Sequence, residues 1–434
     1  MGGGIAALAM AGAADAILTG DPTITHFKLS YRKSTPFALE SVNQPFGGDV
    51  GFGRRGICQI SRNADCLTGL WLEIVFPDIH NGFTAYDNSS PSTEVPDNKY
   101  AWSNGAALKA ITSITLLMGG TQIDKISGDS LYIWSQLSEK EEKMRAYREM
   151  TGLFEEYDVT DTTGSKCFRG ERRCFVELKF FFTAHTGLSI PTVALQFQDL
   201  SVSVEFARTA LECITSNGVT GGISKIVDAN GSPPQIKCEC WATLAFLGNE
   251  ERNRYANMRH EILITQWSRQ DFGLVDIQDQ TRKFQLAFSN PVIELIWVFR
   301  ARNSLDGTTE QRDTLRFSMR TDDTKTEVFK NAKLSIDGVD REIARDARVF
   351  RLCRPYMHHT RVPDTFIYTF PLAIDCEGVQ PSGALNFSRA SAAHLVLTFN
   401  NSAEGGVSGD LTVFARSYNV LTLANGLSGL QFST

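Results

Sequence analysis

No apolar run in this sequence is long enough to cross a bilayer as a helix. Its most apolar opening stretch, residues 1–14, is built of Gly and Ala without a basic start, so no signal peptide is expected. That stretch reads either as an arm docked on a neighbouring subunit or as a tail folded onto its own domain. Histidine is scarce: the seven are scattered, and the one close pair, His358 and His359, points to opposite faces if extended. A cupin-type metal centre, which needs clustered His ligands and a carboxylate, is thereby disfavoured. Also absent are a Gly-x-Ser-x-Gly elbow, a phosphate loop followed by Lys, and His-Glu-x-x-His. The expectation is a non-enzyme with no catalytic, cofactor-binding or metal-binding residues and no cofactor.

An excess of basic charge is lacking too. A net charge of -6 excludes a protein whose main task is to coat nucleic acid. The densest basic run, Arg341, Arg345, Arg348, Arg351, Arg354 and Arg361, is interleaved with Asp340, Glu342 and Asp346, which favours ion pairs within or between subunits over binding of packaged nucleic acid. The nine cysteines are odd in number and show no repeated spacing, so they read as reduced thiols in a reducing compartment. Cys238 and Cys240 share one strand face, but no second pair has zinc-site spacing, which leaves apolar packing. Asn88, Asn230, Asn386 and Asn400 lie in Asn-x-Ser sequons, which without a signal peptide would not meet the secretory glycosylation machinery.

What is present points to sheets. Twenty-eight Phe beside 35 Gly favour strands joined by many turns. Two echoes recur in the same order. Ile114, Leu116, Met118 and Gly120 match Ala332, Leu334, Ile336 and Gly338; Pro-Thr-Val-Ala-Leu-Gln-Phe at 191–197 matches Pro-Ser-Gly-Ala-Leu-Asn-Phe at 381–387. Alternating apolar residues follow the second echo in both places, Leu200, Val202, Val204 and Phe206 against Leu395, Leu397 and Phe399. A unit of this length is a whole domain, so the chain reads as a duplicated β domain.

Alternation predicts strands at 37–42, 56–61, 70–76, 111–118, 174–182, 192–198, 200–207 and 240–247, and again at 261–266, 283–288, 292–299, 328–336, 365–374, 381–387, 394–399 and 411–418. The alternation through Ile24, Phe27, Leu29 and Tyr31 reads as the entry into the first domain. A capping box at Ser138 and Glu141 places one short surface helix over 139–150, ending at Thr151-Gly152. The predicted organisation is an N-terminal arm over 1–24, a first jelly roll over 25–249, a polar linker over 250–259 and a second jelly roll over 260–434. The fold class is all-β: two tandem eight-stranded jelly-roll barrels with one short surface helix in the first. On periodicity alone an immunoglobulin-like sandwich fits as well.

Several words of the sequence carry a resemblance. Leu18-Thr-Gly-Asp-Pro-Thr-Ile-Thr-His-Phe-Lys-Leu-Ser-Tyr-Arg32, Gln59-Ile-Ser-Arg-Asn63, Gly120-Thr-Gln-Ile-Asp-Lys125, Leu131-Tyr-Ile-Trp134, His260-Glu-Ile-Leu-Ile264, Gln380-Pro-Ser-Gly-Ala-Leu-Asn-Phe-Ser-Arg389 and Tyr418-Asn-Val-Leu421 span nearly the whole chain in order. It resembles the double jelly-roll major capsid proteins of large icosahedral DNA viruses, of the chlorovirus and iridovirus type. Asp21, His26, Ile262 and Thr265 depart from that pattern but spare the strand alternation.

The resemblance implies a structural subunit of the virion, a homotrimer whose six barrels make a pseudo-hexagonal capsomer of an icosahedral shell assembled in the host cytoplasm. Its implied partners are neighbouring capsomers and minor capsid proteins, with no direct sequence-specific nucleic acid binding and the inner virus membrane met only indirectly. The alternatives are a minor capsid or scaffold paralogue of the same fold and, from another class, a soluble carbohydrate-binding or cupin-like jelly roll. Strand parity on this list places Asn88, Asn230, Ser304 and Asn400 at an outer barrel end and Arg145 and Arg348 at the opposite, inner end.

Overall fold

The computed structural model describes residues 2–79, 81–88, 93–96, 100–153, 170–216, 223–276, 281–301, 315, 317, 327–400 and 408–432. They form two compact units, Met1–Pro36 and Phe37–Thr434. In the first, a helix Gly3–Ala9, a 3-10 turn Ala13–Asp15 and a further turn Ala16–Thr19 bury no residue. The Gly12 N–H donates to the Asp15 carboxylate at 2.7 Å, which satisfies one orphan donor of the turn. The alternation over 24–31 makes no strand there.

The second unit holds two barrels of one design. In the first barrel the strands are β1 (Phe37–Gln44), β2 (Arg55–Gln59), β3 (Cys66–Phe76), β4 (Ile111–Met118), β5 (Thr121–Ile126), β6 (Arg172–Glu177), β7 (Leu200–Phe206) and β8 (Lys237–Leu247). They make two facing sheets, ordered β1-β8-β3-β6 and β2-β7-β4-β5, with every neighbouring pair antiparallel. The second barrel repeats the order with β9 (His260–Asp276), β10 (Thr281–Leu286), β11 (Pro291–Ala301), β12 (Phe329–Ile336), β13 (Val339–Asp340), β14 (Tyr368–Pro371), β15 (Ala393–Phe399) and β16 (Ser408–Ala424). Its sheets run β9-β16-β11-β14 and β10-β15-β12-β13. This crossing order is that of a jelly roll, so the chain is a double jelly roll.

Alternation explains why these segments are strands. In β3, Leu70, Leu72, Ile74 and Phe76 are fully buried, while Trp71, Glu73 and Val75 between them are half-buried. One sheet face therefore points into the core and the other does not. Burying four such side chains is worth roughly 6–12 kcal/mol before the entropy of ordering the strand is subtracted.

Both echoes fall on equivalent places: the first on β4 and β12, the second on the connections leading into β7 and β15. Five details differ from the sequence reading. Residues 192–198 are not a strand; Thr192–Ala194 is a 3-10 turn, and over 381–387 only Leu385–Asn386 is strand. Both segments begin at proline, which withholds a ladder donor. The polar bridge is a helix, α3 in chain order (Asn249–Asn257), with Glu250 and Glu251 at its N-terminal turn. The capping box at Ser138 does not form: helix α2 (Glu141–Thr151) has Lys140 at its N-cap, though it ends as expected at Gly152 with φ 73°. An unexpected helix, α1 (Gly128–Ser138), precedes it.

The fifth difference is strand β5, with only two apolar residues in six. It follows β4 through Gly119 and Gly120, whose φ values of 56° and 81° suit a two-residue hairpin turn of the primed kind. Inserting β5 shifts strand parity by one. The connection with Arg145 then leaves the barrel at the same end as those with Asn88 and Asn230, and the Gly105 N–H bonds the Gly152 carbonyl at 3.0 Å across two of them. In the second barrel Arg351 pairs with Glu327 at 2.6 Å while the Asn400 N–H bonds the Val328 carbonyl. Arg348 therefore shares an end with Asn400, and the opposite-end assignment of Arg145 and Arg348 is overturned. Ser304 lies outside the described residues. The connections at 77–110 and 207–236 are also more than solvated loops, because Phe83–Asp87 pairs with Ile223–Asp228 and Tyr100–Trp102 with Ile214–Ser216.

Candidate assembly interface

The polar chemistry of the molecule concentrates at the seam where the barrels meet, and α1 builds it. Ser127 caps the helix: the Ser130 N–H donates to its hydroxyl at 3.2 Å, and the Ser127 N–H donates to the Ser130 hydroxyl at 2.8 Å. Gly128 permits the approach, since a Cβ there would lie 1.9 Å from the Leu108 carbonyl oxygen. Asp129 sits in the first turn, where the helix dipole favours a carboxylate, and pairs with Arg300 at 2.7 Å and Arg269 at 3.1 Å from the second barrel. Leu131, Tyr132, Ile133, Ser135, Gln136 and Leu137 are all buried, so the helix is enclosed nearly all round. That explains why no amphipathic stripe announces it.

Beneath α1 lies the outer face of β9, β16 and β11. Trp267, Arg416 and Glu294 stand side by side by register. The Arg416 guanidinium lies 3.7 Å from the centre of the Trp134 ring, a desolvated cation–π contact. Its Nη1 donates to Glu294 Oε1 at 2.9 Å and to the Cys376 carbonyl at 2.7 Å. His359 meets Glu294 Oε2 through Nε2 at 2.9 Å and Glu377 Oε1 through Nδ1 at 3.1 Å. The Glu294 and His359 side chains are fully out of water.

Burial opposes charge on both partners. For His359 the two carboxylates outweigh burial and push its pKa up to about 9. For Glu294, His359 and Arg416 outweigh burial and hold the carboxyl below its usual range. Two acids, Glu294 and Glu377, thus meet two bases, His359 and Arg416, in one largely buried network. Glu294, His359 and Cys376 also bring donor atoms within 4.8 Å of one another, a metal-type triad, but Arg416 already supplies the cation that Glu294 needs. Further along, Asp124 accepts from the Trp267 N–H at 3.1 Å and the Lys125 N–H at 2.9 Å; burial outweighs these bonds and raises its pKa to about 7.

The residues singled out in the sequence distribute as follows. Arg345 pairs with Glu342, Arg348 with Asp346, Arg351 with Glu327, Arg354 with Glu342 and Arg361 with Glu141, so the arginine run is an ion-pair network reaching into the first barrel. Every described cysteine is a free thiol, and Cys238 and Cys240 are half-buried and buried in β8. His358 and His359 do separate, His358 contacting the Ile374 carbonyl at 2.9 Å. Asn88, Asn230 and Asn386 are exposed. Sequence reading missed the His359, Glu294 and Arg416 network, whose members lie far apart along the chain and share no local motif.

The outward surfaces differ between barrels. Across the β1-β8-β3-β6 sheet, Trp241 faces Trp71, Glu239 faces Glu73, and Phe175 and Leu39 flank them at 38% and 57% exposure. On the second barrel, helix α4 (Arg354–His358) and the π-helical turn before it (Val349–Cys353) expose Tyr356 at 80% and Met357 at 67%.

Comparison with known proteins agrees with this architecture. Residues 25–248 match the family described as major capsid protein N-terminus, and residues 251–429 match the large eukaryotic DNA virus major capsid protein family. The major capsid protein of Pyramimonas orientalis virus is 31% identical over the full length of both chains, and that of Paramecium bursaria Chlorella virus 1 is 28% identical, again over both full lengths. The PBCV-1 virus capsid structure superposes with a TM-score of 0.75 at 24% identity, covering 94% of this chain and all of that one, which is a likeness of fold. With two jelly rolls locked by a buried ionic seam and full-length relatives of this kind, the chain belongs to the major capsid proteins of large eukaryotic DNA viruses and is a structural subunit of the capsid.

Proposed function

We propose that three copies of the chain close into a capsomer with a pseudo-hexagonal outline, and that these capsomers tile an icosahedral shell. The observation that carries this is the repetition of one strand order in two barrels already joined side by side. Two like units per chain and a three-fold axis place six like units in a ring, and closed symmetry limits its size. In this reading residues 1–24 are an arm, 25–249 and 260–434 the two barrels, and 250–259 the helical link. The contacts outside the ring are neighbouring capsomers and minor capsid proteins. The ion-paired arginines leave little basic surface for packaged nucleic acid, and the inner membrane would be met only through other proteins. The chain carries no catalytic, cofactor or metal role, and its place is the virion after assembly in the host cytoplasm. Electron microscopy of the purified protein tests this: class averages with six lobes support it, and single two-lobed particles at all concentrations contradict it.

A further inference from the structure

We propose that the outer face of the first barrel's β1-β8-β3-β6 sheet is the seat for the exposed side of residues 347–367 of a second copy of this chain. The inference rests on the trimer reading above and names the surfaces that mate. Within one chain, the connection that follows β5 carries α1 across the outer face of the neighbouring barrel's β9-β16-β11-β14 sheet, and Asp129 and Trp134 reach Arg300 and Arg416 there. The counterpart connection in the second barrel, between β13 and β14, holds the π-helical turn and α4. The counterpart sheet face is that of the first barrel. Each half of the contact made inside the chain therefore exists a second time.

Both second halves are partly uncovered. Under α1, Ile296 and Val298 of β11 are fully buried and Phe414 of β16 is 1% exposed. On the matching face of the first barrel, Trp71 and Trp241 remain half-buried, and Phe175 and Leu39 are exposed. The polar groups around them are already tied down: Trp241 Nε1 donates to Glu73 at 3.1 Å, Arg173 pairs with Glu73 at 2.7 Å, and Asn43 donates to Glu239 at 2.8 Å. An apolar partner can thus land without stranding a polar group. In residues 347–367, Phe350 anchors the inner side against Trp297 and Phe370. Leu352 and Tyr356, four residues apart on successive turns, and Met357 are exposed. The contact is heterologous, one barrel's connection on the next barrel's sheet, and alternating it with the in-chain contact closes a ring of three chains.

The test replaces the exposed native Cys353 with Ser, introduces Phe175→Cys and Met357→Cys together, and treats the full chain with a short bis-maleimide. Covalent dimers and trimers on a denaturing gel, absent when either cysteine is introduced alone, are the expected result. A trimeric mass by light scattering with no cross-link beyond the single variants overturns the contact and leaves the trimer standing. A monomeric mass overturns both. A second variant, Tyr356→Asp with Met357→Asp, is expected to shift the mass from trimer to monomer with unchanged far-ultraviolet circular dichroism. A trimer that persists in it contradicts the proposal.

Discussion

Strands β3 and β11 occupy the same place in the two barrels, yet they live in different surroundings. Both are eleven residues long and rich in Leu, Ile, Val and Trp. In β3 burial alternates, whereas in β11 Ile293, Glu294, Leu295, Ile296, Trp297, Val298 and Phe299 are all at 1% exposure or less. What differs is the cover: α1 lies on the outer face of β11, while β3 has Trp71, Glu73 and Val75 half-exposed. The same fold thus presents one finished interface and one unfinished one. A buried Glu in a strand is tolerable only in the first case, because His359 and Arg416 accompany it there.

The largest expected effect breaks this comparison at the finished face. Arg416→Ala strands Glu294 out of water and removes the guanidinium from Trp134, so a loss of about 3–5 kcal/mol is expected in denaturant unfolding. Glu73→Ala, at the equivalent sheet of the first barrel, is expected to cost less than about 1 kcal/mol in the same assay. Equal losses would dissolve the distinction.

Next in size is Ile296→Ala, for which a loss of about 2–4 kcal/mol is expected from transfer and cavity together. Phe175→Ala in monomeric protein should change stability by no more than about 1 kcal/mol, since its ring is partly in water.

The seam also sets a pH dependence. His359 rises from its ordinary 6.5 to about 9 between Glu294 and Glu377, so its contribution is fully present below pH 6.5 and is lost as pH climbs through 9. A fall of up to about 3 kcal/mol over that window is expected, and His359→Gln should flatten it. Glu294, held low, works in the other direction: its contribution is present above its unfolded value near 4.5 and is lost as pH falls through the folded one. Thermal melts from pH 4 to 10 read both limbs.

A second pH effect sharpens the account at Asp124. Its pKa is raised to about 7, so the folded state favours the protonated acid, and stability declines as pH rises from about 4 to 7. Asp124→Asn keeps an acceptor for the Trp267 and Lys125 N–H groups without the charge. It is expected to remove that decline, so that the variant gains on the wild type as pH rises from about 4 to 8.

Legibility in the sequence followed the same contrast. Strands whose outward positions are polar or half-buried against an apolar inner face, such as β3, β4 and β7, alternate visibly in the sequence. Elements whose surroundings come from another part of the chain do not. Helix α1 is buried nearly all round because two barrels enclose it, and its polar Ser130, Ser135 and Gln136 are buried with its apolar residues, so the run Leu131-Tyr-Ile-Trp134 has no helical stripe. Strand β5, Thr-Gln-Ile-Asp-Lys-Ile, carries polar residues that satisfy the seam, as when Asp124 accepts from the Trp267 N–H. Missing it cost the assignment of barrel ends. The network of Glu294, His359, Glu377 and Arg416 spans more than a hundred residues of chain, and no local pattern brings such groups together.

The central claim is that three copies of the chain close into one ring. Light scattering of the purified protein across micromolar concentrations tests it most directly. The account predicts a mass three times the 48.0 kDa of one chain, falling only at the lowest concentrations. A mass of 48.0 kDa that holds as concentration rises would contradict it.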